Sequence, residues 1–239
     1  MSRSRGQAAR GYHHGDLPRA IRDTALAMIA ERGLPTFSLR ELAARIGVAH
    51  AAVYAHYANK QTLLQDLAIT GLASLNQHQR DALARCRGGA LARLLAIAHA
   101  YVDFARREPG AYRLIFNTDL ESSSPAPVQA ARASAAALMF EVIGEGAASE
   151  LYIDAAPDAL AVALWGAAHG LASLVISGQI REMPAAAADP EGTLALAIEC
   201  AVRGVLSERG REALIAMGRD AALATPRSRS SRRRPRSIG

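Results

Sequence analysis

The sequence is poor in lysine, cysteine and aromatic residues, and each shortage narrows the possible classes of protein. Lys60 is the only lysine, which we interpret mainly as a coding bias that also enriches alanine. Cys86 and Cys200 are far apart, which excludes a zinc-finger framework and fits a reducing cytoplasm. Aromatic residues make up 5% of the chain, whereas alanine, the best helix former, is abundant. The composition therefore predicts an all-α protein.

Short motifs of common enzyme active sites are also missing. The sequence has no G-x-S-x-G, H-E-x-x-H, C-x-x-C or G-x-x-x-x-G-K pattern. His13, His14 and Asp16 could suggest a metal site, but they lie in a polar segment that we expect to be flexible. We therefore expect no enzyme activity and no bound metal or cofactor.

Hydrophobic segments that would indicate export or membrane insertion are weak. The N-terminus is basic without an apolar core, so no signal peptide is expected. Residues 159–176 lack Asp, Glu, Lys and Arg, but they are rich in alanine, a weak driver of insertion, and contain His169. We expect a buried helix in a cytoplasmic protein that has no membrane partner.

Charge is distributed unevenly along the chain. Residues 1–62 carry a net +5, and the last fourteen residues carry +6, which leaves −5 for the middle of a chain whose total is +6. This asymmetry suggests that the N-terminal segment meets phosphate and that the middle does not. On charge alone, a merely solvated basic surface remains an equal alternative.

Helix caps and periodicity place a helix-turn-helix near the N-terminus. A first helix is predicted over 17–32, and a Ser38–Glu41 capping box opens a second helix that ends at Gly47. A third helix follows over 49–57 after a short glycine-containing turn, which is typical of a helix-turn-helix. Further helices are predicted from Lys60 through 72 and over 90–107, 110–117, 126–145, 158–178 and 190–207.

These features divide the chain into four parts. We expect a flexible basic arm over 1–15 and a helix-turn-helix DNA-binding domain over 16–62. A larger helical domain should occupy 63–218, followed by a disordered Arg-rich tail over 219–239. The predicted fold is all-α, with an N-terminal three-helix helix-turn-helix domain and a C-terminal helical bundle.

Two segments carry a family resemblance. The segment 36–64 resembles the DNA-binding signature of the TetR family, with S-x-x-x-L-A-x-x-x-G-V, V-Y-x-H-Y and K-x-x-L-L patterns in order. The LWGAAHGLASLV run, with Trp165, His169 and Gly170, is similar to the WHG-type C-terminal domain of that family, as is the run 112–116. The resemblance implies an all-α homodimer with an N-terminal DNA-binding domain and a C-terminal ligand and dimer domain.

The third helix predicts how the protein meets DNA. Ala49, Val53 and Tyr57 share one side of it and should pack inward, so the opposite side would enter the major groove. That outer side carries alanines, whose methyl groups can only touch thymine methyls or allow close approach. One departure from the family is Ala49, where a Ser or Thr cap is usual.

Four polar residues around this helix are candidate DNA contacts. We expect His50 to reach a base edge or a phosphate, although simple solvation of the helix start is the alternative, and Tyr54 to reach a phosphate. Lys60 is a cation at a helix N-terminus, which a bound phosphate would stabilise, and Ser38 offers a similar site. The predicted DNA-binding residues are Ser38, His50, Ala51, Ala52, Tyr54, Ala55, Tyr57 (through its hydroxyl) and Lys60.

The second half of the chain predicts a small-molecule pocket and a dimer face. An apolar cleft with one or two polar groups is typical of a ligand site, although such residues are more often plain core. Trp165 and His169 share a helix face and could equally form a structural hydrogen-bond pair. The candidate lining is Tyr101, Phe104, Tyr112, Phe116, Met139, Phe140, Trp165 and His169. We expect the helices 158–178 and 190–207, which carry the longest apolar faces, to pair with a second copy in a four-helix arrangement, the second of them through an apolar stripe. That stripe consists of Leu194, Ile198, Ala201, Val202 and Val205.

These observations predict a transcriptional regulator. It would be a repressor that binds an inverted-repeat operator in double-stranded DNA as a homodimer and is released by a small-molecule effector. Two alternatives remain open because the outer side of the third helix carries mainly alanines, which cannot form hydrogen bonds to bases. One is a sequence-independent nucleic-acid binder, and the other is a helical ligand-binding domain with a degenerate DNA-binding head.

Overall fold

The computed structural model describes residues 16–116 and 125–224, with side chains to residue 218. The predicted arm 1–15 lies outside the described residues, as do 117–124 and 225–239. Eleven α-helices and one short 3₁₀ helix make up the described part. They are α1 (Leu17–Arg32), α2 (Leu39–Ile46), α3 (His50–Tyr54), α4 (Lys60–Arg85), α5 (Ala90–Arg107), α6 (Pro109–Ile115), α7 (Ala126–Ala148), α8 (Pro157–Ser177), the 3₁₀ helix Gln179–Glu182, α9 (Pro184–Ala188), α10 (Pro190–Arg203) and α11 (Glu208–Ala224).

The first three helices form the head, a helix-turn-helix unit with its own apolar core. Gly33 and Gly47 end α1 and α2 in the left-handed conformation, at φ of 80° and 82°, which glycine adopts without strain. The Ser38 hydroxyl caps α2 by accepting the Glu41 N–H at 3.1 Å. The predicted all-α fold with an N-terminal helix-turn-helix is therefore confirmed.

Helix α4 joins the head to the body, which comprises α5 and α7–α11. Leu63, Leu64 and Leu67 from its first two turns lie in the head core, whereas Leu83 near its end lies in the body core. The domain boundary expected at residue 62 therefore falls within a continuous helix of 26 residues. Because the helix is continuous, a displacement of α4 at its body end would also move its first turns in the head.

Helix α6 is a second connection between head and body. Its Leu114 is buried in the head core, whereas Tyr112 and Ile115 pack in the body. The Arg113 guanidinium donates to the Ala30 carbonyl of α1 at 3.0 Å and to the Ile176 carbonyl of α8 at 3.2 Å. One side chain thus satisfies carbonyls near the C-terminal ends of two helices, one in each part.

Two helix predictions need correction. Helix α3 ends at Tyr54 instead of 57, because the Tyr57 and His56 N–H groups close a tight turn on Val53 before α4 begins. Helix α11 was not predicted, although the Ser207 hydroxyl caps it by accepting the Gly210 N–H at 3.1 Å. Its backbone continues to residue 224, so the predicted tail over 219–239 overlaps the last six residues of this helix.

The predicted dimer stripe of α10 is wrong. Leu194 and Ile198 pack against Val102 inside the protomer, and Val202 is only 1% exposed. Val205 lies in the body core as well. Periodicity identified an apolar side of the helix, but not whether that side faces this chain or a second one.

Helices α8 and α10 also carry exposed apolar residues on the sides that do not pack against the rest of the chain. Leu196 is 62% exposed, and Val162 is 66% exposed. Among the described residues, α8 alone is long and apolar enough to cross a membrane, with a mean hydropathy of 1.8, and 28% of that window is buried. A single such helix is weak evidence for a membrane span. It does show that the most apolar helix is poorly covered within one chain.

Candidate DNA interface and ligand cavity

Helix α3 presents the surface that was predicted to meet DNA. Val53 is fully buried, whereas His50, Ala51, Tyr54 and Ala55 are exposed and Ala52 is partly exposed. The His50 and Tyr54 rings meet edge to face at 4.5 Å, so the two candidate contacts support each other. Ala49, which was predicted to pack inward, is exposed instead because it precedes the helix as its cap.

Tyr57 holds the end of the recognition segment against α4. Its ring is buried, and its hydroxyl donates to Asp66 Oδ2 at 2.6 Å. Burial raises the pKa of Tyr57, and the hydrogen bond to Asp66 adds to that rise. The hydroxyl therefore has a carboxylate partner in the protein, with which the predicted phosphate contact of Tyr57 would compete.

The ion pairs of the head leave two cations free for phosphate. Most of the described arginines are paired: Arg19 with Asp16 and Asp23, Arg22 with Asp66, Arg32 with Glu41, and Arg45 with Glu31. Between residues 16 and 62, Arg40 and Lys60 are the basic residues without an acidic partner. The net charge of this segment therefore overstates how many cations can bind phosphate. Only the charges of Arg40 and Lys60 are not already balanced by a carboxylate.

Both free cations lie in the first turn of a helix. Arg40 is exposed on α2 beside the Ser38 cap. Lys60 opens α4, where the Asn59 side chain caps the Thr62 N–H at 2.9 Å, and its Nζ lies 5.3 Å from the Phe37 ring centre. Burial lowers the pKa of Lys60, and a bound phosphate would raise it again. A cation at a helix N-terminus interacts unfavourably with the helix dipole. The attraction between the Lys60 ammonium and the Phe37 ring offsets part of this cost.

Sequence reasoning missed Arg40. The lack of an acidic residue three or four positions away does not single out Arg40, because Arg22 and Arg32 share it and are nevertheless paired. The pairing of Arg32 and Arg45 joins different helices. Only the fold reveals that those arginines are neutralised.

A cavity of about 380 Å³ lies between α4, α5, α7 and α8. Five of the eight predicted lining residues contact it: Tyr101, Phe116, Met139, Phe140 and Trp165. Leu72, Leu75, Ala135 and Ala161 complete most of the apolar wall. Its volume falls in the range of small-molecule sites. Because Leu72 and Leu75 belong to α4, a ligand in this cavity would touch the helix that begins at Lys60.

Three predicted lining residues lie elsewhere. Phe104 is fully buried and packs edge to face on His78, with ring centres 5.6 Å apart. Tyr112 and His169 lie behind the Tyr101 ring instead of on the cavity wall. They face inward because a hydrogen-bond network holds them there.

That network joins four of the predicted residues. Trp165 Nε1 donates to the Tyr101 hydroxyl at 3.2 Å, and the Tyr101 and Tyr112 hydroxyls lie 2.9 and 2.8 Å from His169 Nδ1. Burial raises the pKa of both tyrosines, so both hydroxyls remain protonated. The Trp165–His169 pair on α8 thus orients the aromatic wall of the cavity, a role that the sequence left undecided between pocket and structure.

Gln79 is a cavity residue that the sequence did not indicate. It is the one buried polar residue of the described side chains, at 6% exposure, and it lies on the cavity wall. Its burial depends on how α4 meets α5 and α7, which no local pattern in the sequence encodes.

Metal binding finds no support in the described part of the chain. No three His, Cys, Asp or Glu residues there are close enough to hold an ion. His13 and His14 lie outside the described residues.

Comparisons with known proteins agree with this architecture. A family model described as "Bacterial regulatory proteins, tetR family" matches residues 21–67, and one described as "Tetracyclin repressor-like, C-terminal domain" matches residues 94–201. The uncharacterized HTH-type transcriptional regulator YobS of Bacillus subtilis is 32% identical over 94 residues. That alignment covers 39% of this chain and 48% of YobS, about half of its length.

Two solved structures from Rhodococcus cover more of the chain. A protein of unknown function from Rhodococcus sp. RHA1 is 27% identical with a TM-score of 0.68, and the match covers 83% of this chain and all of that one. A bacterial regulatory protein in the tetR family from Rhodococcus RHA1 is 26% identical with a TM-score of 0.64, covering 80% and 97%.

The helix-turn-helix head, with its exposed α3 and free cations, defines a DNA-binding transcriptional regulator. The chain belongs to the TetR family. The WHG subtype of its C-terminal domain stays a prediction.

Proposed function

We propose that this TetR-family regulator is a cytoplasmic repressor that binds an inverted-repeat operator as a homodimer and leaves it when a small molecule binds. The observation that carries the DNA part is the placement of Arg40 and Lys60 in the first turns of α2 and α4. A phosphate at either helix start would meet a cation and free backbone N–H groups together. His50 and Tyr54 on α3 are then the candidates for base and backbone contacts.

The homodimer is supported by the exposed sides of α8 and α10. A Cβ added at Gly166 or Gly170 would meet nothing within 4 Å, so packing within the chain does not require these glycines. Leu196 on α10 is exposed and apolar as well, and a second copy would cover these sides of α8 and α10 with close helix contact. A two-fold dimer would place two α3 helices one DNA turn apart, about 34–36 Å.

Release by an effector follows from the position of the cavity. A ligand against Leu72 and Leu75 would shift α4, whose first turn holds Lys60. The ligand can move the equilibrium only by its different affinity for the DNA-bound and free states. Effector and operator should therefore weaken each other's binding by the same factor.

A sequence-independent nucleic-acid binder is the second candidate. The observation in its favour is the small side chains of Ala51 and Ala55 on the exposed side of α3, which offer no hydrogen bond to a base. Under this alternative, phosphate contacts would supply nearly all of the affinity.

Selection of duplexes from a random library separates the two candidates. We expect the wild-type protein to return an inverted repeat, and His50→Ala to relax one symmetric position in each half-site. The expected cost at that position is about 1–3 kcal/mol, because one base contact is lost. A library that shows no enrichment would establish the sequence-independent binder, and an unchanged consensus for His50→Ala would show that His50 reads no base.

Phosphate anchoring has its own test. Lys60→Ala and Arg40→Ala are each expected to weaken binding to selected and random duplexes alike, and to reduce the salt slope by about one unit. Titrations by fluorescence anisotropy at several salt concentrations measure both quantities. Arg19→Ala is the matched control, since Arg19 is already paired with two carboxylates. If Lys60→Ala and Arg40→Ala behave like this control, the anchors lie elsewhere.

A further inference from the structure

Helices α1 and α8 are joined by the side chain of Arg113, although they do not pack extensively on each other. Arg113 lies in α6, and its Nη1 donates to the Ala30 carbonyl at 3.0 Å while its Nη2 donates to the Ile176 carbonyl at 3.2 Å. The two nitrogens belong to one planar, rigid group. They therefore hold a helix of the head and a helix of the body at a fixed separation.

Both carbonyls need a donor that their own helices cannot supply. Ala30 and Ile176 lie in the last turns of α1 and α8, where the intrahelical N–H partners run out. No backbone N–H in the described part of the chain reaches either carbonyl. Each carbonyl also lies at the negative end of a helix dipole, which a guanidinium stabilises. Two helix ends thus determine the position of one side chain.

The end of α1 leaves room for this guanidinium. Gly33 follows α1 at a φ of 80°, and a Cβ added there would lie 3.3 Å from Arg113 Nη1. Glycine therefore serves both the left-handed helix end and the close approach of the side chain. Arg113 itself is only partly exposed, so its hydrogen bonds are stronger than they would be in open water.

The bridge connects the proposed dimer interface to the recognition helix. In the proposed dimer, α8 lies at the interface, so its position relative to the partner is fixed. Helix α1 shares its apolar core with Val53 of α3. The link from α8 through Arg113 to α1 and α3 does not pass through α4. The angle at which it holds the head contributes to the distance between the two α3 helices.

We propose that Arg113 is a positioning residue that sets the separation of the two α3 helices, and with it the spacer length that the dimer accepts between half-sites. This inference rests on the proposed binding of an inverted repeat by a homodimer. Arg113 acts through α1 and α8 instead of through a contact with DNA. Its replacement should therefore change which spacers are accepted and leave the reading of each half-site intact.

Duplexes that carry the selected half-site twice, with spacers changed by one or two base pairs in either direction, test this assignment. One added base pair moves a half-site by about 3.4 Å and turns it by about 35° around the duplex. We expect the wild-type protein, used as the full chain at pH 7, to lose about tenfold in affinity per base pair away from its preferred spacer, because both heads can no longer engage. A duplex with a single half-site measures one head without a spacing constraint.

Two replacements remove the bridge in different ways. Arg113→Met keeps a long side chain without donors and should reduce the penalty to about threefold or less per base pair, while affinity for the single half-site stays within about twofold. Arg113→Lys keeps the charge but replaces two rigidly spaced nitrogens by one on a flexible stem, so it should fold and reduce the penalty as well. Arg107→Met is the matched control, because Arg107 pairs with Asp103 on its own helix and should leave the spacer dependence unchanged.

Anisotropy titrations with this set of duplexes give a clear decision. Wild-type spacer dependence in either Arg113 variant would overturn the inference and leave the proposed function standing. An equal loss of affinity for every duplex, the single half-site included, would also overturn it, because a destabilised head would then explain the effect. If the wild-type protein itself binds all spacers alike, the proposed inverted-repeat binding fails and the inference fails with it.

Discussion

If the proposed homodimer forms through the exposed sides of α8 and α10, Leu196→Arg is expected to convert it into monomers and to weaken operator binding about 100-fold or more. Leu196 is the most exposed large hydrophobic side chain of α10, at 62%, and α10 packs against α8, whose exposed side is also apolar. An arginine at this position would place two like charges near each other across a two-fold interface and remove them from water, which is strongly unfavourable. Because linking two half-site contacts typically raises affinity by a factor of about 10²–10⁴, monomers lose that gain.

Analytical ultracentrifugation and anisotropy titrations measure the two effects on the same sample. Ile215→Arg is the matched control, because it adds the same charge at a similarly exposed position of α11 and is expected to keep both the dimer and the operator affinity. Val202→Arg would be a misleading choice, since Val202 is buried in the protomer and its replacement would unfold the body. A Leu196→Arg protein that sediments as a dimer and binds normally would place the interface elsewhere.

The helices of this protein could be predicted where local chemistry marks their ends. Helix α1 matches its predicted bounds because Pro18 and Gly33 are strong start and stop signals. Helix α5 also matches, over Ala90–Arg107. Helix α11 was missed because the cap, Ser207, is followed by a charged stretch without a clear apolar stripe.

The site could be predicted only as far as residue type and spacing allow. The TetR signature indicated Ser38, His50 and Lys60, because each lies at a helix start that the sequence itself marks. Arg40 and Gln79 could not be found in the same way. Their roles depend on which other groups the fold pairs or buries, and those partners come from distant parts of the chain.

The side of α10 that we propose for the dimer contact illustrates the same limit. The helix carries Val202 on one side and Leu196 on another, and both sides are apolar. Hydrophobic periodicity reports that a side is apolar but not what covers it. The assignment therefore required the position of α10 against α5 and α8.

Gly110→Ala is expected to lower the melting temperature by about 6–12 °C and to weaken operator binding. Gly110 lies in the first turn of α6, where the backbone packs directly on α1. An added Cβ would lie 2.8 Å from the Leu26 carbonyl carbon and would overlap its oxygen. The contacting atoms belong to the backbone, so they cannot rotate away and one helix must shift. Overpacking typically costs about 1–3 kcal/mol, and we expect about 3 kcal/mol here because no side chain can yield. For a chain of this size, each kcal/mol lowers the melting temperature by about 2–4 °C.

The effect on DNA follows from what α6 holds. When α6 moves off α1, the Arg113 guanidinium can no longer reach the Ala30 and Ile176 carbonyls together, and the head loses its second connection to the body. The two heads of a dimer would then be less fixed in their spacing, so operator affinity should fall more than affinity for random DNA. Gly144→Ala is the matched control: it lies inside α7 with nothing within 4 Å, so alanine should stabilise the helix by about 0.5–1 kcal/mol. Differential scanning calorimetry and anisotropy titrations compare the two variants, and equal melting temperatures for both would show that α6 does not depend on close packing at Gly110.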